Sequence, residues 1–343
     1  MRLCLCGLPG TGKSTIFAAL AGRRVSGGKG REETHQALLS VPDQRVDKLS
    51  AIYKPKKTIY AQVTYLDPAD PTGSAGGADD PTAKLPAELR QSDGLIEVVR
   101  NFDGGLGQPT PAADHQAFHE DLLLNDLITV ERRLERVAQE RQRGRDIDQE
   151  EIRLLEQAKD ILGAEKPLRQ TPEVAGHTKL KGFGLLTAKP VIVVANNEED
   201  DPEPPDLGQG EEAVVIRAGI EAELAELAED ERAEFMADLG LSDSALDRLL
   251  AASLKAMKMI SFFTVGTDEV RAWTVAQDTP APQAAGAIHS DMEKGFIRGE
   301  VTRHEDLLEH GSEAAVKKVG LMKVVGKDYL VQDGDIFHVL FNV

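Results

Sequence analysis

Short apolar runs alternate with helix-like segments over the first three quarters of the chain. Residues 3–6 have the pattern of a short buried strand, and residues 15–20 have that of a helix. The uniformly apolar run at residues 190–195 is typical of a parallel strand that is covered on both faces. Further strands are predicted at residues 38–41, 58–66, 94–99 and 213–217. Strands that alternate with helices in this way predict an α/β fold.

A repeating apolar seam occupies the middle of the chain and predicts a long helix. Its members, spaced by three or four residues, are Leu123, Leu127, Val130, Leu134 and Val137. A break at Gly144 precedes a second helical pattern at residues 152–162. The two patterns together predict an antiparallel helical hairpin that is inserted in the α/β domain. Two packing helices with solvated outer faces, or an arm that binds a partner, would both give this pattern.

The pattern changes near residue 259, where short strands surround short helical or turn segments. Strands are predicted at residues 270–275, 296–301 and 336–341. Such a mixture is typical of a separate, small α+β domain. The predicted domains are a first domain at residues 1–115 and 187–258, an inserted helical arm at residues 116–186, and a C-terminal domain at residues 259–343.

The amino-acid composition adds little to this prediction of the fold class and the domains. Hydrophobic residues make up 41% of the 343 residues and charged residues 29%, which is ordinary for a soluble globular protein. The apolar runs are far shorter than the roughly 18 residues that a membrane span needs, and no signal peptide pattern opens the sequence. Cys4 and Cys6 alternate in one strand, as packing residues of a reducing compartment do. We therefore expect a cytoplasmic protein that binds no membrane.

The net charge of −18 argues against a protein that binds free nucleic acid through a general basic field. It leaves room for a local basic patch that docks on a ribonucleoprotein. The histidines show no metal-ligand spacing with cysteines or carboxylates, so the sequence predicts no histidine metal site.

The sequence Gly7-Leu8-Pro9-Gly10-Thr11-Gly12-Lys13-Ser14 fits the phosphate-binding pattern of a glycine, four residues and Gly-Lys-Ser. A predicted strand precedes it and a predicted helix follows it, which is the context that the chemistry needs. Glycines let backbone N–H groups close around a phosphate, and the helix N-terminus adds its positive dipole. Lys13 would reach the β- and γ-phosphates, and the Ser14 hydroxyl would ligate Mg²⁺. The segment predicts a nucleotide-binding protein.

Extended segments along nearly the whole chain resemble one known family. Those near the C-terminus are residues 269–275 (EVRAWTV), 291–298 (DMEKGFIR), 327–329 (KDY) and 331–335 (VQDGD). Earlier ones are residues 41–43 (VPD), 54–57 (KPKK) and 220–227 (IEAELAEL). These segments resemble the YchF-type, Obg-related P-loop ATPases and GTPases, which belong to the translation-factor class, and the chain resembles a divergent member of them.

The resemblance implies a P-loop NTPase G-domain with an inserted helical hairpin, followed by a ubiquitin-like (β-grasp) α+β TGS domain. It also implies that the ribosome, or one ribosomal subunit, is the partner. Lys54, Lys56 and Lys57 form a basic cluster in an acidic chain, which would be a solvated turn or a contact with ribosomal RNA phosphates. We expect a monomer.

The segment after the apolar run at 190–195 bears on the choice of base. Ordinary GTPases place Asn-Lys-x-Asp here, whereas this chain has Asn196-Asn197-Glu198-Glu199, which resembles the Asn-x-x-Glu form of the YchF type. Adenine and guanine present different donors and acceptors, so a site built for one rejects the other. The resemblance favours ATP over GTP. GTP remains the alternative, as does an Asn196 that only caps a strand end.

Both predicted phosphate-sensing loops depart from the family pattern. The family continues the strand that ends at Asp67 as Asp-x-x-Gly, whereas here Asp70 replaces the glycine, and Pro68 and Pro71 lack amide donors. The switch threonine is also uncertain in register, because its position aligns with Arg31 or, after a short slip, with Thr34. Asp67 can still help to hold Mg²⁺. Since these loops position the reacting groups, we predict that nucleotide binding survives and that hydrolysis is weak or lost.

We predict a Mg²⁺-dependent, ATP-binding switch protein that acts on the ribosome. The alternatives are a catalytically degenerate paralogue that serves as an interaction module and a GTPase. If the chain is active, it would cleave the β–γ phosphoanhydride. The candidate nucleotide-binding residues are Gly7, Pro9, Gly10, Thr11, Gly12, Lys13, Ser14, Thr15, Asn196 and Glu199. The candidate catalytic residues are Lys13 and Asp67, and the candidate Mg²⁺ ligands are Ser14 and Asp67.

Overall fold

The computed structural model describes residues 1–22, 34–69, 85–208, 210–238 and 244–342. By their internal contacts, the residues fall into two compact units. The first unit comprises Met1–Leu39 and Thr64–Leu249, and the second comprises Ser40–Val63 and Leu250–Val343. None of the helices in these described ranges is both long enough and apolar enough to cross a membrane.

The strands of the described residues are, in chain order, β1 (Arg2–Cys6), β2 (His35–Ser40), β3 (Lys57–Ile59), β4 (Gln62–Asp67), β5 (Gly94–Asn101), β6 (Val191–Asn197), β7 (Ala213–Ile216), β8 (Met259–Thr264), β9 (Glu269–Ala276), β10 (Phe296–Arg303), β11 (Lys323–Val325) and β12 (Asp335–Phe341). The helices are α1 (Lys13–Ala21), α2 (Gln44–Tyr53), α3 (Ala87–Gln91), α4 (Pro111–Gln142), α5 (Gln149–Gly163), α6 (Pro172–Ala175), α7 (Thr178–Lys181), α8 (Ala218–Glu226), α9 (Glu229–Asp238), α10 (Ala245–Ala256), α11 (Ala281–Ile288), α12 (Ser290–Lys294), α13 (His304–His310) and α14 (Glu313–Lys318).

The first unit is built on a six-stranded sheet with the order β2-β4-β1-β5-β6-β7. Strand β1 pairs in parallel with β4 and β5, and β6 pairs in parallel with β5 and β7. The central strands are buried almost throughout, which is why they appear in the sequence as continuous apolar runs. The α/β prediction is confirmed. Because all these ladders are parallel, the carboxyl ends of β1, β4, β5, β6 and β7 lie at one edge of the sheet.

The helical arm of the first unit is the predicted antiparallel pair of helices. Helix α4 has 32 residues and begins at Pro111, five residues before the predicted boundary, and α5 returns against it. The side chain of Asp148 accepts hydrogen bonds from the N–H groups of Glu150 and Glu151, which fixes the start of α5. Buried Val130, Leu155 and Ala158 belong to one apolar cluster that fills the space between the helices. The short helices α6 and α7 close the same cluster.

The second unit contains a mixed six-stranded sheet with the order β11-β10-β12-β8-β9-β3. Antiparallel pairs join β8 to β9 and β10 to β11 and β12, whereas β12 runs parallel to β8. Helix α11 buries Ala281, Ala284 and Ala285 completely in the core of this unit. The predicted small α+β domain is therefore present.

The second unit also contains Ser40–Val63, a segment that lies far along the chain from its main part, Leu250–Val343. The predicted strand at 58–66 is two strands, β3 and β4, and β3 pairs in parallel with β9 from Lys57–Glu269 to Ile59–Arg271. Arg45 bonds to Asp43 and Asp333, the second at 2.6 Å. The contact-based division therefore differs from the predicted domain boundaries, which kept residues 40–63 in the first domain. A three-residue strand carries too little pattern to reveal a partner more than 200 residues away.

Candidate nucleotide-binding site

The glycine-rich loop lies between β1 and α1, in the predicted context. Gly7, Gly10 and Gly12 all have positive φ angles, of 125°, 79° and 89°. Only glycine adopts such angles without strain, and a Cβ atom at Gly7 would also approach the Val98 carbonyl oxygen to 2.5 Å. The close approach of the loop to β5 therefore requires a glycine at position 7. Consecutive backbone turns of this kind are the conformation in which N–H groups can converge on an anion.

Lys13 reaches back over this loop from the first turn of α1. Its ammonium group donates to the carbonyl oxygens of Gly7 at 3.2 Å and Leu8 at 2.9 Å. The buried Thr11 hydroxyl donates to the Leu8 carbonyl oxygen at 3.1 Å, which closes the loop from inside. The predicted residues Pro9, Gly10, Ser14 and Thr15 are exposed at the surface of the loop and the helix start.

Asn196 connects the loop to the far side of the site. It lies near the end of β6 and is only 4% exposed. Its side-chain amide donates to the Thr11 carbonyl oxygen at 3.0 Å, and its side-chain oxygen accepts from the Ala218 N–H at 3.2 Å. Both polar atoms of Asn196 are thus committed to backbone groups. The residue holds the phosphate loop against the start of α8, a larger role than that of a strand-end cap.

A pocket of about 220 Å³ opens beside Asn196, at the edge where the parallel strands end. Its walls are formed by the phosphate loop, the residues after β5 and β6, and the start of α8. The lining residues are Gly12, Thr15, Phe102, Asn196, Asn197, Glu198, Glu199, Ala218 and Gly219. Two predicted groups, the phosphate loop and the segment 196–199, therefore meet in one pocket.

Two carboxylates of the segment 196–199 differ in what they contact. Glu198 accepts a hydrogen bond from the Asp103 N–H at 2.7 Å. Glu199 is exposed and its carboxylate lies against the Cα of Gly219, where a Cβ atom would collide with it. Arg217 donates to the Glu199 carbonyl oxygen at 3.1 Å and so fixes the backbone at this point.

Asp67 ends β4 at the same edge of the sheet. It is 5% exposed and follows directly on Leu66, which pairs with Cys4 of β1. Because β1 leads into the phosphate loop, Asp67 lies at the strand edge that carries this loop. Three positions at which the sequence departs from the family pattern lie outside the described residues: Arg31, Asp70 and Pro71. Thr34 is described, and its hydroxyl donates to Glu88 at 2.6 Å.

Comparison with known proteins decides the family. The "Ribosome-binding ATPase YchF" of Bacillus subtilis (strain 168) is 36% identical over 364 aligned positions, which cover 99% of this chain and 98% of that protein. The protein of the same name from Escherichia coli O157:H7 is 35% identical, with the same coverage. The chain belongs to the YchF family. The "Obg-like ATPase 1" of Oryza sativa subsp. japonica is 32% identical over 100% of this chain and 92% of that protein.

Two further comparisons agree with this assignment. A family model named YchF-GTPase_C, with the description "Protein of unknown function (DUF933)", matches residues 259–342. The solved structure of the Schizosaccharomyces pombe YchF GTPase has a TM-score of 0.82 and 30% identity, and the match covers 99% of this chain and 97% of that one. The predicted resemblance to the YchF type and the predicted fold, a G-domain with a TGS domain, are confirmed.

Several residues that line the pocket beside Asn196 were not predicted from the sequence. Phe102, Ala218 and Gly219 line it, yet none belongs to a recognisable motif. Phe102 directly follows β5, and position alone, at the carboxyl end of a central parallel strand, could have identified it. Ala218 and Gly219 begin α8 directly after the edge strand β7, and no binding motif marks them.

A buried cluster of ionisable groups lies away from the pocket and was also missed. Glu97 of β5 is 1% exposed and contacts two histidines that are four residues apart on α4. His115 Nδ1 lies 3.0 Å from each Glu97 oxygen, and His119 Nε2 lies 2.9 Å from Oε2. The sequence shows no metal-ligand spacing among these residues, yet in the structure one ligand atom from each of the three lies within 4.8 Å of the others. The carboxylate comes from a strand that the sequence alone does not join to α4.

The fourth member of this cluster opposes metal binding. Arg169 Nη2 lies 3.3 Å from His119 Nδ1. A guanidinium group only donates, so His119 Nδ1 accepts and its proton sits on Nε2, which donates to Glu97. A histidine with a protonated Nε2 cannot ligate a metal through that atom. The arrangement is therefore a buried, hydrogen-bonded network of Glu97, Arg169 and two histidines.

This network shifts the pKa values of Glu97 and His115. Burial alone would raise the pKa of Glu97, but hydrogen bonds from His115 and His119 outweigh it and hold that pKa below its usual value. Burial alone would lower the pKa of His115, but the hydrogen bond and negative charge of Glu97 raise it above its usual value. The network thus favours a charged Glu97 and a protonated His115.

Proposed function

We propose that this YchF-family protein binds ATP with Mg²⁺ at its phosphate loop, hydrolyses it weakly if at all, and acts as a nucleotide-dependent switch on the ribosome. One observation carries the proposal: Asn196 bonds directly to the phosphate loop and lines the pocket beside it. A phosphate-binding loop and a base-sized pocket that share one residue are suited to a nucleotide.

The phosphate end of the proposed site is supported by the loop geometry and by Lys13. The glycine-rich backbone and the start of α1 favour an anion, and the Lys13 ammonium group that bonds to loop carbonyls is close enough to exchange them for phosphate oxygens. Ser14 and Asp67 offer hydroxyl and carboxylate oxygens, the hard donors that Mg²⁺ prefers, so this pair suits the ion. When bound, Mg²⁺ would neutralise charge on the β- and γ-phosphates.

The preference for ATP is supported by the segment 196–199. It lacks the Lys and Asp of guanine-binding sites. Both side-chain polar atoms of Asn196 are hydrogen-bonded to backbone groups. Base contacts would therefore come from Phe102, Glu199 and the backbone around Gly219. The relatives named ATPases support the same base, whereas the Schizosaccharomyces pombe protein is titled a GTPase. GTP binding is thus the second candidate.

The ribosome is proposed as partner because relatives that are similar over the whole chain are named ribosome-binding. Lys54, Lys56 and Lys57 are exposed, as a contact with ribosomal RNA would need. The Lys56 ammonium also pairs with Asp268 at 2.8 Å, and both side chains are at least 80% exposed, so solvent and salt screen this pair strongly. An RNA phosphate could replace Asp268 there.

Calorimetric titration with Mg²⁺-ATP and Mg²⁺-GTP tests the proposed binding. We expect ATP to bind at least about tenfold more tightly than GTP, because unpaired polar groups penalise the wrong base. Lys13→Ala should weaken both nucleotides by about a hundredfold or more, since it removes a charge-assisted phosphate contact. Exposed Lys159→Ala, far from the loop in sequence, is the control. Co-sedimentation with ribosomes should then depend on ATP, and tighter GTP binding or no binding would contradict the proposal.

Weak hydrolysis is proposed from the sequence of the segment after β4. Asp70 brings a negative charge where the family has a glycine, and Pro68 supplies no amide. Asp70→Gly should raise the single-turnover rate of ATP hydrolysis by about tenfold or more if this charge is the obstacle. Asp70→Asn removes the negative charge without the backbone freedom that a glycine adds, so the two variants together separate these two effects. Unchanged rates in both variants would exclude the Asp70 charge as the cause.

A further inference from the structure

The loop that follows β5 is held from inside by an arginine side chain and reaches the nucleotide pocket. We call residues 102–108 the anchored loop. The Arg100 guanidinium group lies inside it, and Nη1 donates to the carbonyl oxygens of Phe102, Asp103 and Gly107 at 3.0, 3.2 and 2.9 Å. Nη2 donates to the Gln108 carbonyl oxygen at 3.4 Å. One side chain therefore ties together both ends of the loop.

The loop needs such an anchor because its sequence is intrinsically flexible. Gly104, Gly105 and Gly107 all have positive φ angles, of 54°, 76° and 85°. Glycines lose more conformational freedom on ordering than other residues, so a glycine-rich loop stays ordered only if bonds offset that cost. Asp103 adds a local bond by accepting from the Gly107 N–H at 3.2 Å.

The anchored loop presents two apolar side chains to the phosphate loop. Phe102 lines the pocket, and its ring lies 3.9 Å from where a Cβ atom of Gly12 would be. Leu106 is 62% exposed, and its Cδ1 atom lies 3.0 Å from the equivalent point on Gly10. Two phosphate-loop glycines thus leave room for two side chains of the anchored loop.

A second bond ties the anchored loop to the segment 196–199. Glu198 accepts from the Asp103 N–H, the residue next to Phe102. The peptide that follows Phe102 is consequently held on both sides, because its carbonyl oxygen accepts from Arg100 and its N–H donates to Glu198. A flat aromatic ring at the wall of such a pocket can stack on any base, and stacking depends strongly on the position of the ring.

We propose that Arg100 is a positioning residue for the nucleotide base, which it serves by holding the anchored loop so that Phe102 lies against the base. This inference rests on the proposed nucleotide binding. Arg100 does not itself contact phosphate, because its guanidinium group is committed to four loop carbonyls. Its effect on ATP affinity passes through Phe102.

A double-mutant cycle on the full-length protein tests this route. Arg100→Met and Phe102→Ala should each weaken ATP binding by about tenfold, the size of one lost stacking contact. In the double variant the losses should not multiply, and the affinity should stay within about threefold of Phe102→Ala alone, because both changes remove one interaction. Inorganic tripolyphosphate, which has no base, should bind all variants equally. Exposed Arg153→Met is the matched control.

The possible outcomes separate this inference from the proposed function. Losses that multiply, or equal losses for tripolyphosphate and ATP, overturn the positioning role in a protein that still binds ATP. A wild-type protein that binds no ATP overturns the proposed function and this inference together. If Arg100→Met does not fold, hydrogen exchange of the wild type decides: ATP should slow exchange at the Leu106 and Gly107 amides at least fivefold more than tripolyphosphate does, and equal protection overturns the inference.

Discussion

Asn196→Ala should lower the free energy of unfolding by about 2–4 kcal/mol and remove measurable ATP binding. The change leaves the Thr11 carbonyl oxygen and the Ala218 N–H without their present side-chain partner, in a part of the structure where Asn196 itself is 4% exposed. Each buried polar group that loses its partner costs about 1–3 kcal/mol. Without these two bonds the phosphate loop is no longer linked to the start of α8, so the distance between the phosphate loop and the pocket is no longer fixed. Urea unfolding and calorimetry measure the two effects.

A second buried asparagine provides the control for this prediction. Asn125 is 2% exposed, lies on α4 and accepts a hydrogen bond from Arg90. Asn125→Ala should therefore also lower the stability, yet leave the dissociation constant for ATP unchanged in the folded protein. An Asn196→Ala protein that binds ATP as the wild type does would show that Asn196 is not the link between loop and pocket.

Glu97→Gln should lower the free energy of unfolding by about 3–5 kcal/mol at pH 6, although it keeps the shape of the side chain. Removing one partner of a buried ionic network leaves the others uncompensated, which costs about that much. Here the uncompensated groups are Arg169 and the two histidines on α4. Glu150→Gln, in an exposed contact with Lys179, should change the stability little and is the control.

The pH dependence of this difference follows from the two pKa shifts. The pKa of Glu97 is lowered from 4.5, so its contribution is present above that value and is lost as the pH falls through the lowered pKa. The pKa of His115 is raised from 6.5, so its contribution is present below that value and is lost as the pH rises through the raised pKa. The stability difference between wild type and Glu97→Gln should be largest between these two values. A difference that is flat from pH 4 to pH 9 would contradict the network.

Local patterns were sufficient for many of the strands and helices and for half of the residues that line the pocket. The phosphate loop is a continuous segment, so its residues and its flanking strand and helix are fixed by neighbours in sequence. The apolar run at residues 190–195 likewise placed Asn196 and Glu199 at the carboxyl end of a parallel strand, where the structure has them. The α4–α5 pair followed from a seam with helical spacing. Each of these features depends on contacts within a few residues along the chain.

Contacts between distant segments could not be predicted in this way. Phe102, Gly219 and Asn196 come from three parts of the chain, and only the parallel register of β5, β6 and β7 brings their loops together. The partnership of β3 with β9 and that of Glu97 with the histidines of α4 are of the same kind. Nothing in a three-residue strand or a single buried glutamate specifies which distant partner it meets.

The sequence by itself thus determined the family, the two kinds of fold unit and the phosphate-binding loop, because these depend on local spacing and on extended runs of residues. Only the tertiary structure decided how the nucleotide pocket is closed. It committed Asn196 to the backbone on both sides, placed Phe102 and Leu106 beside phosphate-loop glycines, and gave Arg100 four carbonyl partners. The physical reason is that hydrogen bonds and packing act over a few ångströms in space, whatever the separation along the chain.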